Sequence, residues 1–264
     1  MTATDTAFTG SVPARYDRNL GPLLFEPYAE IAAQRAKSLA PKRVLEVAAG
    51  TGILTAALQR ALPDAAIIAT DLNPAMLEVA ATKVQDGSVH FQPANALDLP
   101  FADGEFDLVI CQFGVMFYPD KVAGNAEARR VLRDGGTYVA IIWDRLDRNP
   151  VSHAMADMLA EEFPEDPPRF LERAPFSYAD PAQIEHDLRS AGFDRITVEA
   201  VAATSWVDAR SAAYGMCCGS PMTAEIEERG ADALDRAVEA CEHALRSFDG
   251  QEAPMSALFA AATK

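Results

Sequence analysis

Glu46, Gly50, Gly52 and Asp71 are the residues whose types and spacing point to chemistry. They fall in one stretch, residues 43–71, which reads RVLEVAAGTGILTAALQRALPDAAIIATD. The small-residue turn AAGTG follows an apolar strand and precedes a helix. Such a turn lets the backbone come close to a ligand, and the helix behind it offers unpaired N–H groups. Asp71 ends the next apolar strand, 25 residues after Glu46. Adjacent strands of a parallel sheet bring two such carboxylates to one crevice, outside the carboxyl ends of the strands. There Asp71 is placed to grip a ribose diol through two charge-assisted hydrogen bonds, each worth about 1.5–3 kcal/mol. The turn alone says only "nucleotide-like ligand". A generic α/β turn with a solvated aspartate has the same appearance, and Glu46 also reads as a buried structural acid. The third glycine of the dinucleotide fingerprint is replaced by Thr55, which disfavours NAD or FAD, and the absence of GK[ST] removes the phosphate-binding P-loop.

The elements that must position these residues follow from the pattern of apolar runs and stop signals. Strands are expected at 44–47, 66–70, 88–92, 107–112, 137–143, 196–202 and 255–262. The fourth is apolar through its centre, as a strand covered on both faces should be. Helices are expected over 21–39, from Gly52 to just before Pro63, from Asn73-Pro74 onward, over 121–132 with a stop at Asp134-Gly135-Gly136, and over 181–190. Strands alternating with helices imply right-handed crossovers and a parallel sheet. After Trp143 the alternation breaks. Residues 145–180 are rich in Pro, Asp and Glu around the amphipathic piece VSHAMADMLAEEF and read as a lid. Residues 208–248 read as a second helical insertion, with Val238, Cys241, Leu245 and Phe248 on one stripe. Residues 1–12 read as disordered. The expected whole is a single domain over 1–264 with an N-terminal helical cap over 1–40.

The totals narrow the function further. A chain of 264 residues, 49% hydrophobic, suits one large α/β domain. The formal net charge is −16, spread along the chain, which opposes a nucleic-acid partner and an anionic membrane surface. The start, MTATDTAFTGSV, lacks the basic and apolar regions of a signal peptide, and no run approaches a membrane span. The four cysteines, Cys111, Cys217, Cys218 and Cys241, fit neither a disulfide framework nor a metal site; Cys111 reads as inert core. A reducing cytoplasm is the expected location.

VLEVAAGTG, TDLNPAML, NALDLPFADGEFDLVICQFGVMFYPD and VLRDGGTYV resemble, in order, the successive motifs of class I S-adenosylmethionine (SAM)-dependent methyltransferases. The resemblance is to the small-molecule branch that includes the ubiquinone/menaquinone-biosynthesis enzymes. It covers residues 10–145 strongly and continues more loosely through APFSYADPAQIEHDLRSAGF and the closing strand. It implies a Rossmann-like, doubly wound, seven-stranded, mostly parallel sheet with an antiparallel last strand and a helical lid. It implies SAM as methyl donor and S-adenosylhomocysteine (SAH) as product. By the same resemblance the turn with Ala48, Gly50 and Gly52 wraps the methionine moiety, Asp71 binds the ribose and Leu72 packs on the adenine. Asn95-Ala96 read the adenine edge, Gln112 and Phe113 back the methionine end, and Tyr16-Asp17 close over the cofactor. Tyr16 has the alternative of packing against the lid, and Met76 reads either as adenine contact or as helix core. Two residues depart from the family pattern. Ala48 stands for the first glycine, implying that this position does not need a positive φ. Asn95 stands for the usual aspartate and can still donate and accept.

Methyl transfer is an in-line displacement that needs no covalent intermediate, and a general base helps when the acceptor carries a proton. His153, just past the fifth strand, is the candidate base, with a surface helix position as its alternative; Asp144 is a second candidate. Phe117, Tyr118, Trp143 and Tyr178, with Phe176, could line an acceptor pocket or serve as core. CQFG stands where DNA amino-methyltransferases carry [DNS]PP[YFW], and DPPR at 166–169 lies in the lid. The expected activity is methyl transfer to O, N or C of a small metabolite; a non-catalytic SAM-binding protein and an NAD(P)-dependent oxidoreductase are the alternatives. Asp71→Ala is expected to raise the SAM dissociation constant at least tenfold by calorimetry; unchanged affinity removes the ribose assignment.

Overall fold

The computed structural model describes residues 12–84 and 87–264. The expected N-terminal disorder therefore lies, up to residue 11, outside the described residues, and residue 12 already opens a helix. Seven strands form one sheet: β1 (Arg43–Val47), β2 (Ala66–Asp71), β3 (Val89–Pro93), β4 (Phe106–Gln112), β5 (Leu132–Trp143), β6 (Arg195–Val207) and β7 (Gln251–Thr263). Their order is β3-β2-β1-β4-β5-β7-β6. β1 to β5 run parallel, and β7 is antiparallel to both β5 and β6. The chain builds outward from β1 to β3 on one side, then crosses back to place β4 on the other. That reversal opens a crevice at the carboxyl ends of β1 and β4. Leu108, Val109, Ile110 and Cys111 of β4 are all buried, as their unbroken apolar run requires.

The helices in the first half are α1 (Val12–Leu20), α2 (Glu26–Leu39), α3 (Ile53–Ala61), α4 (Pro74–Ala81) and α5 (Lys121–Val131). A π-helical turn, Gly21–Phe25, joins α1 to α2, so the helical region starts well before the expected residue 21. α4 begins as its sequence predicts, with the Asn73 side chain accepting from the Ala75 N–H and Pro at the first helical position. Asp134-Gly135-Gly136 does not act as a helix stop. α5 ends at Val131 and β5 begins at once, pairing Leu132 with Phe106 before a register shift brings Thr137 to Leu108. Gly135 takes φ +77°, and its N–H donates to the Lys264 carbonyl. At Gly136 a Cβ would meet the Arg133 and Asp107 carbonyls at 2.9 and 3.1 Å. The two glycines serve a bulged strand.

β6 and β7 are each 13 residues long and pair along their whole length, well beyond the expected 196–202 and 255–262. β6 is the edge of the sheet and mostly exposed, so its ends carry no strong apolar alternation. The segments after β5 form a helical layer: α6 (Pro150–Glu162), α7 (Phe170–Arg173), α8 (Pro181–Ser190), α9 (Ala209–Cys218), α10 (Met222–Glu227) and α11 (Ala233–Ala244). α11 packs on α6 and α9, and α9 on α1. Gly215 allows the α1–α9 crossing, since a Cβ there would lie 2.7 Å from the Asn19 Cβ. Cys241 and Leu245 of the expected stripe are fully buried, while Val238 and Phe248 are partly so. The Cys217 and Cys241 sulfurs lie 3.9 Å apart as free thiols. Among the described residues no helix is long and apolar enough to cross a membrane.

Ala48 corrects the sequence reading, because it sits in the left-handed region at φ +55°. Its Cβ occupies the space that Gly114 leaves open: a Cβ at 114 would lie 2.5 Å from it and 2.7 Å from the Cys111 sulfur. Alanine tolerates that backbone at a cost of about 1–2 kcal/mol, partly offset by its lower unfolded-state freedom relative to glycine. Ala48→Gly is therefore expected to raise Tm by about 1–3 °C in thermal melts. A lower Tm would mean that packing of the Ala48 methyl outweighs the backbone strain.

Candidate active site

A cavity of about 460 Å³ opens at the β1/β4 crevice, between the glycine turn, the ends of β2 and β4 and the amino end of α4. Asp71 organises its floor. Its Oδ2 accepts from the Gly50 N–H at 2.8 Å and its Oδ1 from the Asn73 N–H at 2.8 Å. Burial pushes the carboxyl above its usual range, and these N–H groups pull it partly back. Each oxygen keeps a lone pair free for a ligand hydroxyl. Asp71 thus holds the turn as well as facing the cavity, so its removal costs local structure along with any ligand contact.

Glu46, 2% exposed, lines the same cavity. Its Oε2 meets no hydrogen-bond donor among the described residues. Burial raises its carboxyl to about 8; nearby Thr55 opposes this and the Asp71 carboxylate adds to it. Gln112 donates from Nε2 to the Phe25 carbonyl at 3.2 Å and leaves Oε1 buried without a partner. Tyr16 stacks on Phe25 with ring centroids 4.9 Å apart, and its burial holds the phenol neutral. The adjacent Asp17 accepts from the Thr51 hydroxyl at 2.6 Å and pairs with Lys83, which ties α1 to the glycine turn and the end of α4.

Of the residues expected at the cofactor, Tyr16, Glu46, Ala48, Gly50, Asp71, Leu72, Met76, Asn95, Ala96, Gln112 and Phe113 all line this cavity. Gly52 does not. At φ +78° a Cβ there would lie 2.7 Å from the Ala80 Cβ, so Gly52 permits α3 and α4 to approach. Met76 is both buried helix core and cavity wall. Leu72 is 68% exposed at the rim, an apolar side chain with space above it. Asn95 accepts from the Leu97 N–H at 3.0 Å, which fixes its amide orientation. Thr51, Asn73 and Phe25 also line the cavity. The first two adjoin residues already singled out; Phe25 carries no sequence signal, because the π-helical turn brings it in.

A second cavity, about 60 Å³ and almost wholly apolar, adjoins the first, and Tyr16, Phe25, Phe113 and Phe117 line both. Phe113 takes φ +54° and stacks on Trp143 at 3.8 Å with the rings 9° from parallel. Trp143, Phe176, Phe170 and Met216 complete much of the wall. Among the expected acceptor residues Phe117 and Trp143 reach this cavity, and Tyr118 lines the larger one, its hydroxyl 3.4 Å from the Cys111 sulfur. Tyr178 lines neither; it donates to buried Asp187 at 2.7 Å. His153 also lines neither. Its side chain is 45% exposed, with Nε2 3.7 Å from Asp157 on the outer face of α6. Asp144 is held by the Arg145 N–H and the Ser256 hydroxyl and lines neither cavity.

A model described as "Methyltransferase domain" matches residues 44–136, the span that holds every polar wall of the larger cavity except Tyr16. Residues 44–136 thus match a methyltransferase domain. Around this domain the chain is similar to a demethylmenaquinone methyltransferase of Deinococcus radiodurans, 37% identical over half of this chain and 56% of that protein. It is similar to a ubiquinone/menaquinone biosynthesis C-methyltransferase of Vibrio campbellii, 31% identical over 58% of this chain and 64% of that one. The chain spans between about a third and two thirds of the length of the curated relatives it matches. The fold matches a Haemonchus contortus phosphoethanolamine N-methyltransferase solved with SAM, at TM-score 0.63 and 19% identity, covering all of this chain and 60% of that one. The larger cavity fits SAM by its donors and acceptors. Glu46 Oε2 and Gln112 Oε1 are buried acceptors without partners, suited to an amino-acid ammonium, and Asp71 suits a ribose diol.

Glu46 makes stability depend on pH. Because its carboxyl is raised in the folded state, folding binds a proton between about 4.5 and 8, and stability falls as pH rises through that window. Glu46→Gln lacks this term. In the absence of SAM its Tm is expected to match wild type near pH 4.5 and to exceed it increasingly up to pH 8, with a ceiling of about 5 kcal/mol. A constant difference across that range would show that Glu46 is ionised in the free protein.

Proposed function

We propose that this chain transfers a methyl group from SAM to a small, uncharged, largely apolar acceptor. The observation that carries this reading is the pair of adjoining cavities with a common aromatic wall, one with unpartnered polar groups and one apolar. When bound, SAM supplies a methyl group already activated on a positively charged sulfur. The chain's share is holding and exclusion of water. Asp71, Leu72, Asn95 and Ala96 hold the adenosine end, and Glu46 and Gln112 the amino-acid end. Phe113, fixed by its stack on Trp143, orients the acceptor against the larger cavity. Holding two reactants in line contributes up to about 7–11 kcal/mol to such a displacement.

Residues 145–180 and 208–248 act as the acceptor lid of a single domain spanning 1–264, capped by 1–40. Ser152, Phe170, Phe176 and Met216, which come from these segments, support this by lining the apolar cavity. Among the described residues no carboxylate or imidazole lines that cavity, and neutral Tyr16 is the only titratable side chain there. The acceptor atom is therefore an O, N or C that reacts without a protein base in contact. Four free thiols and a net charge of −16 are in keeping with a cytoplasmic enzyme that acts on neither nucleic acid nor membrane.

Calorimetry with SAM, SAH and NAD(P)H, followed by mass spectrometry of a lysate incubated with the enzyme and methyl-labelled SAM, tests the proposal. SAM and SAH are expected to bind, and one metabolite to gain the label. Binding of the nicotinamide alone makes the chain an oxidoreductase. SAM binding with no labelled product makes it a non-catalytic SAM-binding protein.

A further inference from the structure

The apolar cavity has one unusual feature, the amino end of α6. Ser152, the third residue of this 13-residue helix, is 3% exposed and lines the cavity. Its hydroxyl meets no hydrogen-bond partner among the described residues. The helix end itself is uncapped. Asn149, the residue that would cap it, turns its side chain to β7, accepting from the Ser256 N–H at 3.0 Å and donating to the Ser256 carbonyl at 3.1 Å. The first return bond of the helix runs from the His153 N–H to the Asn149 carbonyl, so the N–H groups of Val151 and Ser152 precede it. Of the two other hydroxyl-bearing residues of the cavity, Ser220 donates to the Met216 carbonyl at 2.6 Å and accepts from the Met222 N–H at 3.2 Å, and Tyr16 is also partnered.

A hydroxyl that borders an apolar cavity without a protein partner is costly, and a helix amino end carries partial positive charge. Both features favour an oxygen that accepts a hydrogen bond. On the reading that this cavity receives the acceptor, we propose that Ser152 is the residue that recognises it, by donating to a single oxygen carried on an apolar frame. Carboxylates, phosphates and ammonium groups are excluded, because the described lining of the cavity offers hydroxyls but no opposite charge to a desolvated ion. Ser152 is thus a specificity residue, with the aromatic stack supplying shape and the hydroxyl supplying orientation.

Phenol and toluene differ only in a hydroxyl for a methyl and are the probes. Each is titrated calorimetrically into full-length protein saturated with SAH, with benzoate as the charged control. Wild type is expected to prefer phenol over toluene by about fivefold, the usual size of one net hydrogen bond, and not to bind benzoate. Ser152→Ala is expected to bring the phenol/toluene ratio to about one, and Ser152→Thr, which keeps the hydroxyl, to retain it. A merely structural role would shift both ligands equally and leave the ratio intact. An unchanged ratio in Ser152→Ala, or no preference in wild type, overturns the proposal. Failure of SAH itself to bind in the preceding titration overturns the cofactor reading instead, so the two failures are distinct.

Discussion

Two carboxyl groups buried at the ends of neighbouring strands set the terms for the rest of the structure. Glu46 is the last residue but one of β1 and Asp71 the last of β2, where the parallel sheet brings them to one crevice. Burial penalises the charged form of each, and the Asp71 carboxylate adds to the penalty on Glu46. Asp71 is stabilised by the N–H groups of Gly50 and Asn73, which bind it to the turn and to the amino end of α4. Glu46 has Thr55 beside it, but its Oε2 meets no donor among the described residues. The free protein therefore holds one acid secured by its own backbone and one that waits for a positively charged or donating ligand. This arrangement suits a ligand that brings both a diol and a cation.

The elements around the crevice are packed to close it. α1 is tied by Asp17 to Thr51 in the turn and to Lys83 beyond α4, and its other side lies against α9. At Gly219 a Cβ would lie 3.0 Å from the Tyr16 nitrogen, so a larger residue would push α1 off the cavity. The helical insertion thus positions Tyr16 as directly as the sheet positions Asp71. The insertion and the wall of the larger cavity therefore share this one helix.

Phe113 divides the site. Its left-handed backbone, which costs an L residue about 1–2 kcal/mol, turns the ring at the end of β4 onto Trp143 at the end of β5. Strain of this kind persists where the surroundings over-determine it. Here Tyr28 meets both rings edge-on, and the Gln112–Phe25 bond fixes the neighbouring turn. The result is a wall of four aromatic side chains with polar chemistry on one side and apolar space on the other.

By itself the sequence determined the succession of strands and helices along the first half of the chain, the glycine turn, and most of the residues from Glu46 to Phe113 that line the larger cavity, because these are local: a strand end, a tight turn and a helix start sit within a few residues of one another. It misjudged what depends on partners distant in the chain. Gly52 faces Ala80 on another helix, Gly135 meets Lys264, and Ala48 adopts a positive φ that Gly114 makes room for. The acceptor side was least legible. Tyr178 and His153 carry suggestive chemistry yet point elsewhere, while Phe25, Ser152 and Met216 look ordinary and line the cavity. Only the tertiary structure decided this, because that cavity is assembled from four separate segments, and no spacing along the chain records which faces of those segments meet.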